Sequence, residues 1–79
     1  MSLKAMDIHI GKEIEEELRR QERSVSWLAR KINCDRTNIY RIFHKQDIDT
    51  NLLMRISNVL NRNFFALYSE ECDKNSTQP

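Results

Sequence analysis

Four side chains with directional hydrogen-bonding groups fall within six residues: Arg36, Thr37, Asn38 and Arg41. A guanidinium presents a planar fork of donors that matches paired acceptors such as those on a guanine edge. Asparagine carries the donor and acceptor that adenine requires, and threonine offers a hydroxyl and a methyl group. Tyr40, His44 and Lys45 lie among or just after them and suit phosphate oxygens better than base edges. This is recognition chemistry, not bond-making chemistry. No nucleophile, base and orienting group recur in a catalytic pattern, so the chain reads as a non-enzyme. Cys34 and Cys72 are the only cysteines and form no C-x-x-C pair, and His44 has no second ligand at metal spacing. Reduced thiols, no metal and no cofactor are therefore expected. His9 shows no pattern.

These residues need an element that holds them on one side. Ile39, Ile42 and Phe43 recur at helical spacing, which predicts a helix from Arg36 to about Lys45 with Thr37, Arg41 and His44 opposite the apolar stripe. Asp35 is a good N-cap for it, and Asn33 tolerates the left-handed conformation that ends a helix. The preceding helix carries Val25, Leu28, Ala29 and Ile32 and is capped by Ser24 or Ser26. A turn of about three residues joins the two. Before them, Ile10, Ile14 and Leu18 give one apolar stripe to a charged helix over residues 11–22. After them, Asp49 or Thr50 caps a helix with Leu52, Leu53, Ile56, Val59 and Leu60, ended by Asn61 or Asn63. Phe64, Leu67 and Tyr68 suggest a brief fifth helix. Phe64 and Leu67 are expected in the core, while Phe65 and Tyr68 fit the core or a dimer contact equally well.

The 79 residues suffice for one domain only. The expected architecture is all-α and compact, with four to five helices: an N-terminal extension at 1–9, the domain at 10–70 and a polar C-terminal tail at 71–79. One Gly and a single terminal Pro leave out the turn chemistry of hairpins. No stretch has the length of a membrane span, and the N-terminus lacks the apolar run of a signal peptide, so a cytoplasmic protein is expected.

A net charge of +1 would by itself argue against a polyanionic partner. Its distribution argues for one. Residues 30–45 hold Arg30, Lys31, Arg36, Arg41 and Lys45 against Asp35 alone, while Glu13, Glu15, Glu16 and Glu17 cluster earlier and Glu70, Glu71 and Asp73 later. A segregated pattern of this kind creates a local positive field on a near-neutral molecule.

The segments IGKEIEEELRRQ, WLARKINCDRTNIYRIFHK and LLMRISNVLNRNFFALY together resemble the lambda-repressor and Cro-like helix-turn-helix family. Leu28-Ala29 stands where that family packs its second helix, and Ile39 stands where an Ile pins the recognition helix. The resemblance implies a bacterial or phage-type transcriptional regulator that binds double-stranded DNA. It implies base contacts from Arg36, Thr37 and Arg41, with Ser24, Asn38 and His44 near phosphates. The pattern departs at Val25, where the family commonly has Gln, and at Asn33, where it has Gly. It departs again at Leu18 and Phe43, where an Arg–Glu pair is frequent; apolar packing can replace such a pair. A homodimer on paired half-sites is the expected assembly. The competing reading is a helical protein-interaction module, antitoxin-like or an adaptor, that uses Trp27 and helix 1 toward a protein partner. The ring of Trp27 could equally lie on the stems of Arg23 and Lys31, four residues to either side.

Overall fold

A computed structural model describes residues 8–75, which form five helices: α1 (Ile10–Arg20), α2 (Val25–Lys31), α3 (Arg36–Phe43), α4 (Thr50–Leu60) and α5 (Phe65–Asn75). The domain is all-α, with no strand among the described residues. Most of the expected extension at 1–9, and residues 76–79 of the expected tail, lie outside the described residues.

The stripe of α1 is buried at Ile10, Ile14 and Leu18. The helix begins at Ile10 and ends at Arg20, not at 11 and 22. His9, which showed no sequence pattern, is its N-cap, with Nδ1 accepting the Lys12 N–H at 3.2 Å. At the other end Glu22 takes a left-handed conformation (φ 58°), so that the Arg23 N–H reaches the Leu18 carbonyl at 3.0 Å and the Glu22 N–H that of Arg19 at 2.9 Å. This pair of bonds satisfies carbonyls that a helix end otherwise leaves open.

Ser24, rather than Ser26, caps α2, its Oγ accepting the Trp27 N–H at 3.0 Å. Asn33 is left-handed at φ 59°, as expected, and the Cys34 N–H closes on the Ala29 carbonyl at 2.9 Å. Four residues, Ile32 to Asp35, therefore separate α2 from α3. Helix α3 buries Ile39, Ile42 and Phe43 against both α1 and α2. It stops at Phe43, two residues short of the expected end, with His44 as C-cap.

Helix α1 meets the end of α3 at very short range. The N–H groups of Ile10 and Gly11, orphans of the first turn, donate to the carbonyls of Gln46 (3.2 Å) and Lys45 (3.0 Å). A Cβ on Gly11 would lie within 2.5 Å of the Phe43 carbonyl oxygen and closer still to that of Ile42. The single glycine of the chain is thus where two backbones touch.

Asp49, rather than Thr50, caps α4, accepting the Leu52 N–H at 2.8 Å. Leu53, Ile56 and Leu60 complete the core, with Leu52 and Val59 half-buried at its margin. Asn61, left-handed at φ 55°, ends the helix, and Asn63 begins the next turn, its Oδ1 accepting the Phe65 N–H at 3.0 Å. Phe64 is fully buried; Phe65, Leu67 and Tyr68 pack on the core from its edge. The fifth helix is longer than the brief one expected and continues to Asn75, through the beginning of the polar tail.

Candidate nucleic-acid interface

Because Ile39, Ile42 and Phe43 anchor α3, the helical repeat turns Thr37, Arg41 and His44 outward. All seven polar candidates on and just after α3 are exposed: Arg36, Thr37, Asn38, Tyr40, Arg41, His44 and Lys45. They do not form a single cluster. Thr37, Arg41 and His44 make the crest, and Asn38, Arg41 and Lys45 descend one flank toward α4. On the other flank Tyr40 meets the edge of Phe43 with ring centroids 6.1 Å apart and borders a hollow shared with Leu18, Arg19, Arg23 and Val25. Leu18 and Phe43 are both buried, the apolar packing expected at those positions.

Two capping roles bear on the site. Ser24 is exposed, but its oxygen is engaged as the α2 cap, which leaves its O–H proton as the group's remaining donor. Asp35 occupies the N-cap position of α3 with extended backbone (φ −83°, ψ 155°), yet its carboxylate makes no capping bond, contrary to expectation. The Arg36 and Thr37 N–H groups, first-turn orphans as in any helix, have no hydrogen bond among the described residues and stand at the positive end of the helix dipole.

The flank toward α4 is a concave depression of about 270 Å³. Asn38, Arg41 and Lys45 form one wall, Asn33 and Cys34 of the α2–α3 link another, and Leu52 and Arg55 of α4 the third. Arg55 escaped the sequence reading because nothing in its own helix marks it. Only packing brings it to the link, where its guanidinium Nη2 donates to the Ile32 carbonyl.

The charges sort by element. The glutamates of α1 are drawn into ion pairs: Arg19 with Glu15 (3.2 Å), Arg20 with Glu17, and Arg62 with Glu17 (3.1 Å) and Glu13 (3.9 Å). Glu17 is a second residue that the sequence did not single out, being one of four clustered glutamates of α1. Its side chain is only 4% exposed and also accepts the Gln21 amide at 2.7 Å, which in turn donates to the Leu60 carbonyl at 2.8 Å. The Arg20 hydrogen bond, opposed by desolvation and reinforced by Gln21 and Arg62, holds the Glu17 carboxyl at about 2. By contrast Arg30, Lys31, Arg36, Arg41, Lys45 and Arg55 take part in no ion pair among the described residues. Glu13, Glu15 and Glu17 are thus paired with arginines, whereas the cations on and beside α3 are not paired among the described residues.

Trp27 is half-buried, with the Arg23 guanidinium 4.5 Å and the Lys31 ammonium 5.8 Å from its ring centroid. Cys34 is partly buried; burial and the Asp35 charge push its thiol up, only partly offset by Arg55, so it is protonated and a poor nucleophile near neutrality. Among the described residues no three His, Cys, Asp or Glu side chains are grouped to hold a metal ion, and no helix is long and apolar enough to cross a membrane. Compared with protein-family models, curated proteins and solved structures, the chain gives no match.

Proposed function

We propose that this chain is a lambda-repressor-like helix-turn-helix domain that binds duplex DNA as a cytoplasmic transcriptional regulator, with α3 as the helix that enters the major groove. One observation carries the reading. The segment that buries Ile39, Ile42 and Phe43 keeps Arg36, Thr37, Asn38, Arg41 and His44 exposed, and its two arginines make no ion pair among the described residues. A helix end of this kind accommodates phosphate oxygens while its first turns reach base edges. Arg36, Thr37 and Arg41 read bases in this scheme. Ser24, Asn38, Tyr40, His44 and Lys45 hold the backbone, Tyr40 and Ser24 on the side nearer α1. A symmetric dimer would place two copies of α3 about 34–36 Å apart on paired half-sites.

The test is fluorescence anisotropy of labelled duplexes carrying randomised palindromic half-sites, at two salt concentrations. Binding should weaken steeply with salt, and Arg41→Ala should reduce affinity for the selected site by about 1–3 kcal/mol, roughly 5- to 150-fold. Trp27→Ala should leave DNA affinity within about twofold, since its ring rests on Arg23 and Lys31. No binding at low salt overturns the proposal and moves attention to the interaction-module reading, with Trp27 and α1 as its surface.

A further inference from the structure

The depression between α3 and α4 collects cations from two separate parts of the chain. Asn38 and Arg41 stand three residues apart on one side of α3, and Lys45, two residues beyond the end of the helix, lines the same hollow. Arg55 approaches from α4, across the link that joins α2 to α3. Ile32, Ile42 and Leu52 give the hollow its apolar lining, and no carboxylate lines it. Arg19, Arg20 and Arg62 are paired with α1 glutamates, whereas Arg41, Lys45 and Arg55 have no ion-pair partner among the described residues. An anion that entered would meet positively charged donors from both walls.

Arg55 is also held in place. An exposed arginine ordinarily samples many rotamers, but here Nη2 is tied to the carbonyl of Ile32, at the negative end of α2. That bond uses one of five guanidinium N–H donors and leaves the others available. A fork fixed before an oxyanion arrives loses less side-chain entropy when it binds.

We propose that this depression is a seat for a single phosphate group, with Arg55 as its anchored donor and Arg41, Lys45 and Asn38 as its other wall. The source is a backbone phosphate of the duplex that α3 engages, because Arg41 belongs to both surfaces and a strand beside the groove would run along this flank. The inference rests on the DNA-binding reading and adds to it a contact from outside the two helices that meet the DNA.

Phosphate contacts carry no sequence information, so an unselected duplex suffices for the test. Anisotropy is measured for wild type, Arg55→Gln and Arg55→Lys between 50 and 200 mM salt, with folding checked by circular dichroism. Loss of one phosphate contact lowers the slope of log K against log salt by about 0.9, equivalent to about 15-fold in affinity at 50 mM and about 4-fold at 200 mM. Arg55→Gln should show that loss, and Arg55→Lys, which keeps the charge, should recover most of the slope. An unchanged slope in a folded Arg55→Gln variant overturns the seat while leaving the DNA reading intact, and a wild type that does not bind duplex overturns both. If the Gln variant does not fold, the Arg55 side-chain N–H resonance of isotopically labelled wild type decides. It should shift when duplex is added, and an unmoved signal refutes the contact. Inorganic phosphate that shifts this resonance where duplex does not would refute the backbone source.

Discussion

Replacing Gly11 by Ala sets two opposing effects against each other. Alanine is the better helix former, and in an open helix interior the change would stabilise α1 by about 1 kcal/mol. Here the added Cβ would fall within 2.5 Å of the Phe43 carbonyl oxygen and nearer still to that of Ile42, where real Cβ contacts essentially never come below 3.0 Å. Both obstacles are backbone, so no rotamer change relieves the clash. The helices must part by more than half an ångström. Overpacking of this kind costs about 1–3 kcal/mol. Separation also stretches the two bonds from Ile10 and Gly11 to the carbonyls of Gln46 and Lys45, each worth about 0.5–1.5 kcal/mol. The loss exceeds the propensity gain, for a net destabilisation of about 2–4 kcal/mol. A chain of this size has only about 4–12 kcal/mol in total. Urea titration followed by circular dichroism and Trp27 fluorescence should show the midpoint falling sharply, and the thermal midpoint should drop by roughly 10–25 °C. A Gly11→Ala protein as stable as wild type, or more so, would refute the close α1–α3 crossing and with it the seating of α3.

Other perturbations probe the charges. Glu17 is held at about 2, below its ordinary 4.5, chiefly by Arg20. Its stabilisation is therefore complete above about 4.5 and is lost as pH falls toward about 2. Glu17→Gln should cost about 1–3 kcal/mol at neutral pH and flatten the acid limb of the stability profile, measured by urea midpoints between pH 2 and 7. Asp35→Asn keeps a good N-cap residue while removing the only acidic charge among residues 30–45. Duplex affinity should rise several-fold at low salt, with the gain shrinking as salt increases. Asp49→Ala removes the α4 cap and should lower stability by about 1 kcal/mol without changing the salt slope of DNA binding.

The elements were legible in the sequence wherever the determinant is local. Apolar residues at helical spacing placed α1 to α4, Asn33 marked the end of α2, and the period of Ile39, Ile42 and Phe43 assigned Thr37, Arg41 and His44 to the free face. The excess of Lys and Arg over residues 30–45 was likewise visible by counting charges along the chain. What remained hidden depends on which parts of the chain meet. Nothing in α1 distinguishes Glu17 from Glu15 or Glu16 until Gln21 and Arg62 close over it. Glu22 adopts a left-handed turn that its residue type does not favour, because the bonds closing α1 require it. Gly11 looked like an ordinary helix residue until the carbonyls of α3 approached it. Arg55 is one more polar residue on α4 in sequence, and only the packing of α4 beside the α2–α3 link brings its guanidinium to the Ile32 carbonyl and into the basic depression. Periodicity, capping and charge density act over a few residues and are therefore written in the sequence, whereas burial of a charge and convergence of cations are set by distances between helices, which exist only once the core has formed.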